Sequence, residues 1–329
     1  MTSTSMPVLL PTDLLRGMAF CSEDPPGYLR ANPADEARLP ADTWAAAQLP
    51  VGLRLELEGE ARTLEITYRT ETDQLGHRGA GAGATFSAWR GDGCMDEQPA
   101  VLGEGTVRLD VAGAGRLRVY LPEGMRPTLR SVVPMHGGVV RAPDQPRWLA
   151  YGDSITEGWS ASSPSLTWTA VAARRHGLDV VNLGYAGAAR AEIVSAEHLA
   201  ALPADVISIA VGTNCWNRIP HSAGMMREIL TAFLDIVQAA HPQVPVVVAS
   251  PVLRPDAEQT PNLLGATLVD VRAAIEGVVR SRGDRLVTLV PGGALLAAEH
   301  LVDGVHPGDA GHQLMAVAMG GAVAAALAG

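Results

Sequence analysis

Cysteine is scarce: Cys21, Cys94 and Cys215 are the only three in 329 residues. An odd, scattered set without CxxC spacing excludes a disulfide framework and points to reduced thiols. Basic charge is also thin. Lys and Arg total 25 against 35 Asp and Glu, for a net charge of -10, and no basic run concentrates what there is. Such a surface lacks the electrostatic footprint that nucleic acid or an anionic membrane requires, so neither is expected as a partner. The opening stretch MTSTSMPVLLPTDLLRG has no basic n-region, and Pro7 and Pro11 break its apolar runs. It does not read as a signal peptide, and the expected location is the cytoplasm. The apolar run from Leu314 to Ala328 is shorter than the roughly 20 residues of a membrane span; a packed helix is expected instead.

What is abundant is apolar side chain, at 47% of the chain, enough at this length for two domains. From about residue 50 to 140 the hydrophobic period is two. Val51, Leu53, Leu55 and Leu57 alternate with polar or small neighbours, and the pattern recurs in Leu64-Ile66-Tyr68, Val107-Leu109-Val111 and Leu117-Val119-Leu121. Several short strands at this spacing predict an all-β sandwich of jelly-roll type over residues 1–140, with a substrate- or carbohydrate-binding role open to it. The glycine-rich segment 76–84 reads as a connector. A polar, twice-proline segment, 141–147, forms the linker. From 148 to 329 short apolar runs (WLAYG, DVVNLG, DVISIAVG, VPVVVAS, RLVTLVPG) alternate with helical stretches. These begin near Pro164, near Ala191, over about 223–240, over about 263–282, and after Pro307. The alternation predicts an α/β fold, a five-stranded parallel sheet covered on both faces.

In such sheets ligands collect beyond the carboxyl ends of the strands, and the chemically distinctive residues fall there. Gly152-Asp153-Ser154 follows the first strand, Asn182-Leu183-Gly184 ends the second, Gly212-Thr213-Asn214 follows the third, and Asp303-Gly304-Val305-His306-Pro307 follows the fifth. A serine hydroxyl becomes a nucleophile when a histidine takes its proton, and the imidazolium then formed needs an acceptor at its other nitrogen. Asp303 can reach His306 from the same loop. Asp153 is the rival carboxylate, but neighbours in extended chain point opposite ways, so a turn-holding role is expected of it. Asn182 is equally readable as a turn residue or as a support for the adjoining loop. No GxSxG elbow surrounds Ser154, which argues against the α/β-hydrolase fold.

Taken in order, Ser154, Gly184, Asn214 and His306 resemble the four blocks of the SGNH (GDSL) hydrolases, over the chain from about Trp148 onward. The resemblance implies a flavodoxin-like three-layer fold and a triad of Ser154, His306 and Asp303. It also implies an oxyanion hole from the N–H groups of Ser154 and Gly184 and the amide of Asn214. No cofactor is implied.

Other residues carry competing readings. Trp159 and Trp216 lie close in sequence to Ser154 and Asn214 and are candidates for walls of a substrate pocket; Trp168 sits at helical spacing with Val171 and Ala172 and reads as core. Arg190 and Arg218 are either substrate contacts or solvated loop residues. His300-x-x-Asp303-x-x-His306 has a metal-like spacing, yet no further ligand cluster accompanies it, so no metal is expected and His300 is assigned to surface or core. The leading expectation is ester hydrolysis through an acyl-enzyme on Ser154, acting on a small-molecule or carbohydrate acyl ester. Acyl transfer to a sugar or natural-product hydroxyl, and non-catalytic carbohydrate binding, are the alternatives.

Overall fold

A computed structural model describes residues 11–23, 26–75, 83–217 and 219–329. The connector expected at 76–84 therefore falls largely outside the described residues, as does Arg218.

The first part of the chain is antiparallel. It contains α1 (Pro11–Leu14), β1 (Leu15–Arg16), a hairpin of β2 (Phe20–Glu23) and β3 (Pro26–Leu29), and α2 (Ala41–Ala47). Strands β4 (Arg54–Gly59), β5 (Thr63–Thr70), β6 (Thr85–Arg90), β7 (Gly93–Pro99), β8 (Gly103–Asp110), β9 (Arg116–Tyr120), β10 (Thr128–Met135) and β11 (Val139–Arg141) follow. They form two sheets, one ordered β1-β4-β9-β6-β7 with β11 on β4, the other β10-β5-β8. The chain changes sheet at most turns, as a jelly roll does. Alternation explains the packing: in β5, Leu64, Ile66, Tyr68 and Thr70 are buried while Glu65 and Thr67 are half-buried and Arg69 is exposed. Leu55, Leu57, Phe86, Leu117 and Val119 of the first sheet meet Leu64, Ile66, Val107, Leu109 and Val132 of the second in one core.

The second part is a parallel sheet of β12 (Arg147–Gly152), β13 (Asp179–Gly184), β14 (Val206–Ala210), β15 (Val246–Ala249) and β16 (Val287–Val290), ordered β13-β12-β14-β15-β16. This is the flavodoxin-like 2-1-3-4-5 arrangement. The helices are α3 (Ser154–Glu157), α4 (Trp168–His176), α5 (Ile193–Ala201), α6 (Thr213–Trp216), α7 (Ala223–Ala240), α8 (Leu268–Arg282) and α9 (Asp309–Ala328). Both faces of the sheet are covered, so β12, β13, β14 and β15 are buried along nearly their whole length. Leu149, Tyr151, Ile207 and Val248 pack on one face with Phe233 and Ile275, and Trp148, Ala150, Val180 and Val247 pack on the other with Trp168, Met315 and Met319. Trp168 is core, as its spacing predicts.

Two helices differ from expectation. α8 starts at Leu268 rather than near Leu263, because Thr267 and Asp270 form a reciprocal capping box there and leave Leu263 exposed. α9 is 20 residues long, and among the described helices it alone is long and apolar enough to cross a membrane by length and composition. Its His312, Met315, Ala316, Met319 and Val323 are nonetheless buried in the protein.

The two parts share an interface. Ala31, Leu39 and Ala47, from the segment between β3 and β4, belong to the core of the parallel sheet. The buried Arg54 of β4 donates to the Val180 carbonyl at 2.9 Å and to Asp179 at 2.8 Å, both at the start of β13. Arg54 also pairs with Glu56, which Arg116 and Arg118 approach in turn. Burial opposes ionisation of Glu56, but these guanidinium groups outweigh it and bring its carboxyl down to about 2.

Candidate active site

The sheet order reverses between β13 and β14 about β12, and the crevice beyond their carboxyl ends is where this topology places a ligand. Ser154 opens α3 immediately after β12, capped by Asp153, whose carboxylate accepts the Ile155 N–H at 3.0 Å. Burial pushes the Asp153 carboxyl up, against the pull of that N–H, of His306 and of Thr213. Asp153 thus holds the turn.

The loop between β16 and α9 brings His306 across. Its Nε2 lies 2.8 Å from Ser154 Oγ, and its Nδ1 lies 2.7 Å from Asp303 Oδ2. An ionised carboxylate only accepts, so Nδ1 carries the proton and Nε2 accepts from the serine hydroxyl. Asp303 Oδ1 also accepts the backbone N–H groups of Val305 and His306. Partial burial alone would raise the Asp303 carboxyl, but these donors together hold it below the ordinary carboxylate value. The separation between Asp303 and Asp153 follows from local geometry: the first faces the imidazole, the second its own helix.

Asn214 lies in α6, after β14. Its Nδ2 donates to the Ala188 carbonyl at 2.6 Å, which ties α6 to the 185–190 loop and leaves one amide hydrogen over. Gly184 departs from expectation. Its N–H donates to Asn182 Oδ1 at 2.9 Å, so it is not open to a substrate oxygen. Gly184 is glycine because β13 ends against α3: an added Cβ would come 2.2 Å from Glu157 N. Gly187, three residues on, has the opposite surroundings. It is exposed, its φ of +72° suits glycine, and a Cβ there would meet nothing within 4 Å. Its N–H has no acceptor among the described residues. Asn182 resolves toward support: besides Gly184 it reaches the Thr156 carbonyl at 2.8 Å and Thr169 at 3.1 Å, joining β13 to α3 and α4.

The tryptophans separate. The Trp159 ring lies 5.2 Å from the His306 ring, at the site. Trp216 is turned to the chain beyond β15, with its Nε1–H on the Thr260 carbonyl at 2.7 Å and Arg254 over its ring at 4.8 Å. Arg190 is neither solvated nor free: it is buried, donating to the Gly187 carbonyl at 2.8 Å and to Asp42 of α2 at 2.6 Å. His300 accepts the Ala297 N–H at Nδ1. Among the described residues no three His, Cys, Asp or Glu side chains are grouped to hold a metal. Sequence reasoning passed over Gly187, Glu157 and Arg30. The carboxylate of Glu157, the last residue of α3, accepts from Trp159 Nε1, Ala186 N and Arg30.

The chain belongs to the GDSL-like lipase/acylhydrolase family, whose pattern matches residues 150–314, and is an enzyme of that class. No curated protein matches the chain. Among solved structures it is similar to the salicylyl-acyltransferase SsfX3 from a tetracycline biosynthetic pathway: 25% identity over 97% of this chain and 96% of that one, TM-score 0.83. A GDSL-like lipase from Bacteroides ovatus is 21% identical over 98% of both chains, TM-score 0.79. A family two carbohydrate esterase from Clostridium thermocellum, in complex with cellohexaose, is 15% identical over 83% of this chain and 92% of that one, TM-score 0.60. The latter two likenesses speak to the fold alone.

Proposed function

We propose that the protein is a carboxylic ester hydrolase working through an acyl-enzyme on Ser154. The observation that carries this reading is the unbroken hydrogen-bond chain from Ser154 Oγ through His306 to Asp303. Ser154 Oγ attacks the ester carbonyl carbon while its proton passes to His306 Nε2. The oxyanion is met by the N–H of Ser154, which at the first position of its helix has no acceptor among the described residues, by the N–H of Gly187 and by the remaining Asn214 amide hydrogen. The C–O bond to the alcohol breaks as His306 returns the proton to it. Water then repeats the sequence and releases the acid, leaving Ser154 protonated. Asp303 orients the imidazole throughout and offsets its transient charge.

In this reading residues 148–329 carry the chemistry, the sandwich of residues 1–140 flanks it, and Trp159 walls the site beside His306. Membership of a lipase/acylhydrolase family supports water as the acyl acceptor. A second reading, transfer to a hydroxyl of a sugar or natural product, is favoured by the likeness to the salicylyl-acyltransferase over nearly the whole of both chains. The substrates of the hydrolase reading are acylated sugars or glycosylated metabolites.

Both readings are tested by incubating the protein with a panel of acyl esters, including acylated sugars, with and without methyl glucoside as an acceptor. Products are identified by mass spectrometry. Free acid as the main product in both conditions is the expected result. Acyl methyl glucoside as the main product moves the assignment to transferase, and turnover of no ester at all counts against acyl chemistry.

A further inference from the structure

Glu157 ends α3, three residues after Ser154, and is 1% exposed. Its Oε1 accepts the Trp159 indole N–H at 3.1 Å. Its Oε2 accepts the Ala186 N–H at 3.0 Å and the Arg30 guanidinium at 3.1 Å. Trp159 is the ring beside His306, and Ala186 is the residue before Gly187. One carboxylate therefore holds both the ring beside His306 and the residue before Gly187.

Arg30 supplies its counter-charge from outside the parallel sheet. It lies just after β3, is 2% exposed, and donates to the carbonyls of Leu49 (2.7 Å), Ala46 and Gly184. Its own carbonyl accepts the Tyr185 hydroxyl at 2.7 Å. The same segment reaches the 185–190 loop again through Asp42, which pairs with Arg190, and Arg190 in turn holds the Gly187 carbonyl. A buried ion pair is weak evidence for stabilisation, since desolvation offsets much of the attraction. What distinguishes this pair is its other bonds: each partner ends on the backbone or side chains that flank the reacting atoms.

We propose that Glu157 and Arg30 are positioning residues for acyl transfer, holding Trp159 against His306 and the 185–188 loop in donor geometry, so that turnover depends on a residue from the antiparallel part of the chain. The inference rests on the acyl-enzyme reading of Ser154. A donor misplaced by about 1 Å costs on the order of 100-fold in rate while leaving ground-state binding largely intact. A role confined to stability would lower the melting temperature without changing kcat per folded molecule.

The test uses the full chain and the p-nitrophenyl ester that the wild type turns over best. Glu157→Gln, Arg30→Met, the double variant and Trp159→Phe are compared, with kcat referred to the folded fraction from circular dichroism. Trp159→Phe keeps a ring beside His306 and removes the N–H that Glu157 accepts together with part of the indole, so it serves if the buried variants do not fold. The expected result is a kcat lower by about 10- to 100-fold in Glu157→Gln and Arg30→Met with KM within about threefold, and a smaller fall of the same kind in Trp159→Phe. The double variant is expected to be no worse than the poorer single, since the two residues act as one unit. Wild-type kcat in the folded variants, or a loss confined to KM, overturns the inference. Labelling of wild-type Ser154 by a fluorophosphonate is measured alongside: its absence overturns the acyl-enzyme reading and this inference with it, whereas normal labelling with unchanged kcat overturns this inference alone.

Discussion

The Asn214 amide gives one hydrogen to the Ala188 carbonyl, at 2.6 Å, and in the proposed mechanism the other meets the oxyanion. The first bond fixes the second donor, so the residue is preorganised before any ester arrives. Asn214→Ala is expected to lower kcat by about 10²–10³ with little change in KM, as for loss of one oxyanion donor; steady-state kinetics that show an intact kcat would remove Asn214 from the hole. At this scale the sequence was readable wherever the chemistry resides in a side chain. Ser154, His306, Asp303 and Asn214 are distinguishable by type and by position at strand ends. The glycine was not, because the donor is a backbone N–H that every residue but proline carries. Choosing between Gly184 and Gly187 requires knowing that Asn182 already occupies the first. Trp159 and Trp216 raised the same difficulty: neither spacing says which way an indole turns.

At the scale of elements, α9 does more than close the sheet. Its His312 is buried between α4 and the chain after α3, accepting the Trp168 N–H at 3.2 Å and donating to the Trp159 carbonyl at 3.1 Å. Burial drives its pKa down to about 4, against the opposing pull of the Trp159 carbonyl. The sign of the consequence is fixed by which state binds the proton. In the unfolded chain the imidazole titrates near 6.5, so between about pH 6.5 and 4 the unfolded state holds more protons and stability falls as pH falls. The full effect is about 3 kcal/mol, reached near pH 4. Burial lowers His198 and His221 in the same direction. Urea unfolding at pH 7 and pH 4.5 is expected to show a smaller acid loss for His312→Gln than for the wild type; equal losses would mean that His312 is not held neutral. The start of α8 lies five residues beyond the point the sequence predicts, because Leu263 and Leu264 extend the apolar pattern while the capping box at Thr267 decides where the helix begins.

For the whole molecule, alternating hydrophobicity distinguished an antiparallel sandwich from a parallel sheet, since a half-covered strand and a doubly covered one bury different periods. What the pattern does not carry is how the two parts meet. Arg30 and Glu157 are 127 residues apart, and Arg54 and Asp179 are 125 apart. No local periodicity marks such pairs, and a charged residue inside a strand or loop reads as exposed until its partner is known. These long-range contacts carry the antiparallel part of the chain to the back of the site, where the segment around Arg30 and α2 supports the loop that bears Gly187.

In the proposed mechanism Ser154 is a nucleophile activated by His306. Its most direct test is intact-protein mass spectrometry after exposure to a fluorophosphonate, with the site of modification located by peptide mapping. One adduct per chain on Ser154 is predicted in the wild type, with none in Ser154→Ala and little in His306→Ala. An unmodified wild type, or an adduct that persists in Ser154→Ala, would contradict it.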